Sequence, residues 1–431
     1  MNKGFIYNYN RCVSCFSCVS ACRLENGNEV TWRSVITDNP DACPGLPVHY
    51  LSIACNHCES PSCLTGCPTG AYSISRSTGA VVLDPKRCMG CNYCYWNCPY
   101  DAPVYNSRTK EVEKCTFCME RLEIDIQPAC TAACPTGALR FGGYAETDKK
   151  SLLIDTALKP RISTEGPRNR YHITEVFPAE STDRYTTDCQ PAKKKVSAAG
   201  EWSLIIFTYL SSLLAGLTLN SWSDGILPPK TLVLILLAGM IILPFFHMGK
   251  PVRSVLSLKN LPRSPLSMEI AGLLFFIVSI ILAYSLNSVP VIVIAGLAGI
   301  IYTVFIDNIY IFSDQRVLIR LHPAGTFLTA LAIASFLSGS ELAFVFISLI
   351  KIGSTIRIRR LLRPAGWKDI FGTVYIAVLV YLNIALIIGI SDIILILVLL
   401  LAELVNRWLF YQDFSPPSNS NNFIKRNNLK K

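Results

Sequence analysis

The chain has 431 residues, of which 51% are hydrophobic and 16% are charged, and it carries a net charge of +10. This composition is too apolar for an ordinary soluble protein, and the excess is local: residues 1–200 are polar, whereas apolar runs dominate residues 201–412. Because the lysines and arginines gather between those runs and at the C-terminus, the positive charge indicates a membrane topology and not a nucleic-acid-binding face.

The first chemical signal along the chain is a set of sixteen cysteines in four groups. The groups are Cys12, Cys15, Cys18 and Cys22; Cys55, Cys58, Cys63 and Cys67; Cys88, Cys91, Cys94 and Cys98; and Cys115, Cys118, Cys130 and Cys134. The first and third have the spacing C-x2-C-x2-C-x3-C, and proline follows the last cysteine of the second, third and fourth groups. Such runs are typical of bacterial ferredoxins, in which the fourth cysteine ligates a second cluster. Four complete groups predict four [4Fe–4S] clusters.

Two other uses of the thiols compete with this interpretation. Zinc also binds four thiolates, but its usual sites are built from separated C-x2-C pairs and not from contiguous triplets. Disulfides need an oxidising compartment, and the first residues, MNKGFIYNYNRC, contain neither an apolar signal segment nor a twin arginine, so export on its own signal is not expected. Cys43 and Cys189 lie outside the four groups and are interpreted as unreactive free thiols.

The cysteine-rich half resembles a known family. The stretches LSIACNHCESPSC, CPTGAYSISRSTGAVVLDPKRCMGCNYCYWNCPYDAPVYN, KCTFCMERL and CPTGALRFG resemble the iron–sulfur electron-transfer subunit of dimethyl sulfoxide reductase and related molybdopterin enzymes, over about residues 3–143. The resemblance implies that the first group pairs with the fourth and the second with the third. The implied ligand sets are Cys12, Cys15, Cys18 and Cys134; Cys115, Cys118, Cys130 and Cys22; Cys55, Cys58, Cys63 and Cys98; and Cys88, Cys91, Cys94 and Cys67.

The apolar half predicts a membrane bundle that follows a polar linker or peripheral wrap over residues 144–200. Apolar segments recur at 202–219, 231–247, 268–287, 291–312, 324–338, 341–352, 370–390 and 392–411. Most are long enough to span a bilayer, although the sixth is short, and SGSE at residues 338–341 predicts a turn before it. With eight spans, the basic loops and both termini fall on one side, which the bias of positive charge assigns to the cytoplasm.

This half also resembles a known partner. EWSLIIFTYLSSLLAG, FHMGKPVRSVLSLKNLPRSPLSMEI and LHPAGTFLTALAIASFLSG resemble the quinol-oxidising membrane anchor of the same reductases. The resemblance implies a quinol site at His247 and Glu269, two ionisable groups suited to quinol protons, although a helix-capping or loop-bonding role stays open for either alone. Arg253, Arg320 and His322 are candidates to assist or to anchor at the interface. No haem is expected, because two histidines at helix ends are a poor axial ligand set.

Together these features predict an α+β ferredoxin-type cluster-binding domain over residues 1–143, then an all-α membrane bundle of about eight transmembrane helices over 201–412 and a polar basic tail over 413–431. The expected function is electron transfer between a quinol, with menaquinol favoured, and a separate molybdopterin catalytic subunit, as in anaerobic respiration. The expected partners are that subunit, membrane lipid and the quinol pool, without nucleic acid. The clusters are expected at the cytoplasmic face of the cytoplasmic membrane.

Two alternatives to this function stay open at the level of sequence. A membrane sensor or transporter with a metal-binding head belongs to a different class, which the cluster-rich head disfavours. The same arrangement of cofactors could also carry electrons in the opposite direction, toward a quinone pool.

Overall fold

The structure is a computed structural model, and it describes residues 3–27, 30–37, 50–143, 158–165, 196–313, 322–362, 367–390, 393–414 and 416. The described residues fall into two compact units, one within Met1–Lys195 together with Val252–Leu256, the other within Val196–Pro251 and Ser257–Ser415. The predictions for Cys43, Cys189, Arg320, most of the 144–200 segment and nearly all of the C-terminal tail lie outside the described residues.

The first unit combines short strands with short helices. Its described strands are β1 (Lys3–Asn8), β2 (Ser34–Thr37), β3 (Tyr50–Ile53), β4 (Tyr72–Ile74), β5 (Val81–Leu83), β6 (Val104–Asn106), β7 (Glu111–Glu113), β8 (Leu139–Gly143) and β9 (Ile162–Glu165). Its helices are α1 (Ser17–Asn26), α2 (Ser62–Gly66), α3 (Tyr93–Trp96), α4 (Met119–Glu123) and α5 (Ala129–Ala132). The strand pairs β2–β3, β4–β5 and β6–β7 are antiparallel.

A three-stranded sheet joins distant parts of this unit. β1 is its central strand and pairs antiparallel with β8 and parallel with β9. Phe5 lies opposite Phe141 on one side and Ile162 on the other, and both Phe5 and Tyr7 are buried, as the two-residue period of a strand requires. β9 falls in the stretch that the sequence indicates as a linker or peripheral wrap, so at least four residues of that stretch belong to the sheet.

The second unit is helical. Its helices are α6 (Trp202–Asp224), α7 (Lys230–Ile242), α8 (Pro265–Leu286), α9 (Val289–Ser313), α10 (Thr326–Leu337), α11 (Glu341–Leu362), α12 (Trp367–Ile387) and α13 (Ile393–Asp413). Each apolar segment of the sequence thus corresponds to one helix, and the turn predicted between the fifth and sixth segments is confirmed, because α10 ends at Leu337 and α11 begins at Glu341. The predicted α+β domain followed by a helical region is confirmed.

Fewer helices than the eight predicted spans are both long enough and apolar enough to cross a membrane. Within the described residues, five helical stretches are long and apolar enough to cross a bilayer: Trp202–Ser223, Pro265–Leu286, Val289–Ser313, Ile370–Ile387 and Ile393–Asp413. A sixth is possible if Lys230–Phe246 and Pro251–Asn260, which meet at a bend of 96°, count as one span. α10 has twelve residues, too few to cross on its own. The count of about eight therefore stays a prediction.

Close approach of backbones at glycines holds the helices of this unit together. α6 packs against α9 and α10. A Cβ atom at Gly216 would lie 2.8 Å from the carbonyl oxygen of Ala330, and one at Gly299 would lie 3.2 Å from the Cα atom of Ala215. Contacts between small residues are the usual means of helix association in lipid, where apolar side chains gain little by leaving the bilayer.

Candidate functional site

The four cysteine groups share a backbone geometry that the spacing alone does not reveal. The residue before the second cysteine of each group has a positive φ: Ser14 (54°), His57 (44°), Gly90 (70°) and Phe117 (64°). This left-handed conformation is unfavourable for residues with a Cβ atom. Its recurrence in all four groups indicates that each C-x2-C segment is bent into the same tight loop, with its thiols directed to one side.

A second repeated turn follows the last cysteine of three groups. The third residue after that cysteine again has a positive φ, at Gly70 (60°), Asp101 (55°) and Gly137 (62°). Its amide donates a hydrogen bond to the carbonyl oxygen of the cysteine, at 3.3–3.4 Å. The proline after each of these cysteines fixes φ at the second position of the turn. The last cysteine of each of these groups is thereby held on a rigid exit from the loop.

One pocket brings cysteines of the first and fourth groups together. It encloses about 320 Å³ of space, partly open to solvent, and among its lining residues are Cys12, Cys15, Cys18 and Cys134. The amide of Leu139 donates a hydrogen bond of 3.4 Å to the sulfur of Cys134. Three thiols of one group and the last thiol of another therefore surround a common space.

A second pocket has the same construction. It spans about 370 Å³ of space, part of it open to solvent, and its lining includes Cys55, Cys58 and Cys63 of the second group with Cys98 of the third. In this structure, a pocket thus again combines three thiols of one group with the last thiol of its partner group.

The remaining thiols have corresponding neighbours. Cys67 lies within electrostatic range of Cys88, Cys91 and Cys94. Cys22 lies within the same range of Cys118 and Cys130. All sixteen of these cysteines lie within the described residues, and there they take part in no disulfide.

Burial makes some of these thiols poor anions on their own. It raises the pKa of Cys22 to about 11 and that of Cys91 to about 12. A thiolate at either of these positions at neutral pH therefore requires a bound cation beside it. Yet the described residues contain no group of three or more His, Cys, Asp or Glu side chains placed to hold a single metal ion.

A buried arginine, which the sequence analysis did not single out, lies among the thiols. Arg33 is 1% exposed, and its Nη1 donates hydrogen bonds to the carbonyl oxygen (3.3 Å) and Oγ (3.0 Å) of Ser52. That Oγ lies 3.2 Å from the sulfur of Cys18. Nε and Nη2 of Arg33 are buried and have no hydrogen-bond partner among the described residues. Two of the three guanidinium nitrogens thus lack a hydrogen-bond partner, and a negatively charged group bound by the thiols would supply one.

Two further polar residues lie beside the cysteine loops. Lys114 is 4% exposed, and its ammonium donates hydrogen bonds to the carbonyl oxygens of Val81 and Cys115. His57 is fully buried, accepts a hydrogen bond of 2.9 Å from the amide of Val81, and lies against Phe117 in a tilted arrangement with ring centroids 3.6 Å apart. Burial, with a contribution from Lys114, holds the pKa of His57 well below its usual range, so the ring is neutral.

The membrane-side candidates are divided between the two units. Arg253 belongs to the first unit, where it donates hydrogen bonds to the carbonyl oxygens of Pro85 (2.6 Å) and Cys88 (2.8 Å) and pairs with Glu111 at 2.8 Å. It thus contacts a cysteine loop directly. No such contact could be inferred from its position between two apolar segments.

His247, Glu269 and His322 belong to the second unit. Nδ1 of His247 lies 2.9 Å from a carboxylate oxygen of Glu201. Glu269 lies in the first turns of α8 and is 6% exposed. His322 is 5% exposed, accepts a hydrogen bond of 3.1 Å from the amide of Ala324, and lies 3.9 Å from Asp413.

A buried ion pair in the second unit also escaped the sequence analysis. Nζ of Lys351 lies 2.7 Å from a carboxylate oxygen of Glu403, and both side chains are fully buried. Tyr375 and Thr329 donate hydrogen bonds of 3.0 Å to the same carboxylate. The pair joins α10, α11, α12 and α13. The sequence does not single out Lys351, because position along the chain does not reveal that it lies inside a helix of 22 residues.

Comparison with known proteins identifies the cysteine-rich part. A family described as a 4Fe-4S dicluster domain matches residues 46–144. The probable anaerobic dimethyl sulfoxide reductase protein YnfG of Escherichia coli strain K12 is 38% identical over 175 residues, which are 38% of this chain and 85% of the relative. A second component of an anaerobic dimethyl sulfoxide reductase from the same strain is 38% identical over 34% of this chain and 76% of its own length.

A third relative extends the comparison to another reductase. A tetrathionate reductase subunit of Salmonella typhimurium is 38% identical over 170 residues, covering 38% of this chain and 68% of that subunit. Each relative thus accounts for little more than a third of this chain while covering at least two thirds of itself, so the rest of the chain is additional to the shared part. The chain belongs to the family of iron–sulfur electron-transfer subunits of dimethyl sulfoxide reductase-type complexes.

Proposed function

We propose that this chain passes electrons between a quinol, menaquinol in the first instance, and a separate molybdopterin catalytic subunit through four [4Fe–4S] clusters. The helical unit is its quinol-oxidising anchor, and a quinol-oxidising site and cluster domain thus share one polypeptide. The observation that carries the proposal is the pair of pockets in which three thiols of one group and the last thiol of another surround one space. Family membership and the apolar helices support it.

The proposed ligand sets follow the crossed pattern. The first pocket belongs to the cluster of Cys12, Cys15, Cys18 and Cys134, and the second to that of Cys55, Cys58, Cys63 and Cys98. The other two sets are Cys115, Cys118, Cys130 and Cys22, and Cys88, Cys91, Cys94 and Cys67. Cys22 lies near Cys118 and Cys130, and Cys67 lies near Cys91, which supports these assignments.

A [4Fe–4S] cluster would supply one-electron storage at each set. The residues of the chain do the rest. Thiolates would bind the iron, and the amides of Ala71 and Phe117 donate hydrogen bonds of 3.4 Å to the sulfurs of Cys67 and Cys115. Arg33 and Lys114 bring buried positive charge to the loops, which offsets the negative charge of thiolate-ligated clusters. The half-satisfied guanidinium of Arg33 fits this arrangement.

In the helical unit we assign quinol oxidation to His247 and Glu269. An imidazole accepts a hydroxyl proton near neutral pH, and a carboxylate almost withdrawn from water is a functional candidate at membrane depth. The unit lies in the cytoplasmic membrane, with the cluster domain at the cytoplasmic face, because the basic loops gather on that side under the proposed topology.

Two measurements test the proposal. Anaerobically purified protein should contain about sixteen irons per chain, four for each cluster, and a preparation dominated by zinc would contradict the cluster assignment. In membranes that contain the whole complex, His247→Ala should slow quinol-dependent reduction of the clusters by roughly a hundredfold, as expected for a lost acid–base group. Reduction by dithionite should be unchanged in the same membranes, and a wild-type quinol rate in the variant would exclude His247 from the site.

A further inference from the structure

A buried arginine that the proposed reaction does not yet use lies in the helical unit. Arg407 belongs to the C-terminal part of α13 and is 3% exposed. Its Nε donates a hydrogen bond of 2.8 Å to Oγ1 of Thr208 in α6. Its Nη1 donates one of 2.7 Å to the carbonyl oxygen of Ala324, which precedes α10. These two bonds fix the guanidinium between α6, α13 and the start of α10.

The third nitrogen of this guanidinium has no partner. Nη2 of Arg407 is buried and makes no hydrogen bond to any group in the described part of the chain. The aromatic rings of Phe410, Tyr310 and Tyr411 have their centroids 4.7, 5.2 and 5.6 Å from Cζ. Ring faces attract the charge of a guanidinium, but they accept hydrogen bonds only weakly. A structural role therefore explains the two bonds that Arg407 makes, and it leaves Nη2 without the acceptor that a buried donor requires.

Arg407 and Glu269 lie near a common tyrosine. Tyr310, in the last turn of α9, is within electrostatic range of both, and its ring is one of the three beside the guanidinium. Its hydroxyl is hydrogen-bonded to that of Tyr411, and both side chains are buried. Glu269 is in the first turns of α8, which packs against α9. A buried cation with a spare donor and a buried carboxylate thus occur in one region of the helical unit.

This combination suits a hydroxyl group that loses its proton. A carboxylate can accept the proton, and the oxygen that is left gains negative charge. N–H donors directed at such an oxygen stabilise it most where water is excluded, and hydrogen bonds from a guanidinium to an anionic oxygen are among the strongest in proteins. Aromatic side chains at the guanidinium suit a flat ring that carries the hydroxyl. A quinol has both features.

We propose that Arg407 binds the quinol directly: its Nη2 donates a hydrogen bond to one quinol oxygen and stabilises the negative charge that develops there. The inference rests on the proposed quinol oxidation. In that reaction the O–H bond beside Arg407 breaks and an O–H bond forms at the carboxylate of Glu269. The resulting quinolate gives its two electrons one at a time to the iron–sulfur clusters, the other hydroxyl proton is released toward water, and the quinol becomes the quinone.

The test is Arg407→Gln in membranes that contain the whole complex, with cluster reduction by a soluble 1,4-naphthoquinol as the readout. We expect kcat/KM to fall about tenfold to a hundredfold, as for the loss of one hydrogen bond from a charged donor. Arg407→Lys should recover part of the rate, because it retains the charge but not the directed donor. Arg357→Gln, the same change at an exposed position of α11, should match the wild type.

A pH profile separates stabilisation of the anion from a general structural role. Without the guanidinium the bound quinol loses its proton less readily, so the deficit of Arg407→Gln should shrink as the pH rises. A deficit of the same size at every pH, or a wild-type rate in Arg407→Gln, would overturn the inference. Iron content and dithionite reduction verify folding in each variant. If Arg407→Gln does not assemble, Arg407→Lys provides the same comparison, with a smaller deficit expected.

Comparison with His247→Ala separates this inference from the proposed function. If His247→Ala is slow and Arg407→Gln is not, the proposed function survives without this contact. If both variants run at the wild-type rate, the assignment of quinol oxidation to the helical unit fails as well.

Discussion

Arg33→Gln should lower the midpoint potential of the cluster assigned to Cys12, Cys15, Cys18 and Cys134. A positive charge beside a cluster stabilises the reduced form, which carries one more electron, so its removal makes reduction harder. Glutamine retains a hydrogen-bond donor near Ser52 but not the charge. The substitution therefore isolates the electrostatic part of the role of Arg33.

The size of the effect follows from two hydrogen bonds. Bonds of 3.0 Å and 3.2 Å connect Nη1 of Arg33 to Oγ of Ser52 and that Oγ to the sulfur of Cys18, so the charge lies at most about 6 Å from the ligand sulfur, by the triangle inequality. At an effective dielectric constant of about 20, a unit charge at this distance contributes about 2–3 kcal/mol. For a one-electron couple this is a shift on the order of 100 mV to lower potential.

Redox titration followed by electron paramagnetic resonance measures this shift in the purified complex. Arg33→Lys is the matched control, because it retains the charge in the same buried place, and its potential should remain close to that of the wild type. The cluster assigned to Cys22, Cys115, Cys118 and Cys130 should move in the same direction, since Cys130, Cys115 and Cys22 also lie within electrostatic range of the guanidinium. Unchanged potentials in Arg33→Gln, with the full iron content, would refute the electrostatic argument.

Two more predictions concern the crossed ligands and the buried ion pair. Cys134→Ser should disturb the cluster of Cys12 and leave that of Cys115 intact, so loss confined to the Cys115 signal in electron paramagnetic resonance would count against the crossed pairing. Lys351→Met should lower the free energy of unfolding of the helical unit by about 3–5 kcal/mol, because it leaves Glu403 buried without its counter-charge. Denaturant titration in detergent measures the free energy of unfolding. Adding Glu403→Leu to Lys351→Met should recover much of the lost stability. A Lys351→Met variant as stable as the wild type would show that the ion pair does not stabilise the unit.

Much of the fold could be predicted from the sequence, because it depends on local signals. Cysteine spacing, proline positions and long apolar runs each report on one short segment, and they led to the α+β domain and the helical region. The SGSE turn was predicted for the same reason. The length of α11 was not, because Lys351 and the arginines after it interrupt the apolar pattern while the helix continues to Leu362.

The features that escaped prediction depend on contacts between distant segments. Arg33 has no motif around it, and its importance arises from burial among thiols of two cysteine groups. Glu201 and His247 are far apart in sequence, so only the fold brings them together. The left-handed residue before each second cysteine is glycine only at Gly90, and the usual signal for that conformation is therefore missing from the other three groups.

The central position of β1 in its sheet affects how the cluster domain folds during synthesis. Residues 3–8 are synthesised before both neighbours of this strand, because β8 and β9 lie beyond residue 138. During synthesis β1 therefore remains without its partners while the local hairpins β4–β5 and β6–β7 are already complete. Contacts between such distant residues form slowly, and an unpaired strand is prone to bind other chains. A nascent chain released before β8 would thus expose both edges of β1, so chaperone binding during synthesis should concentrate on this strand.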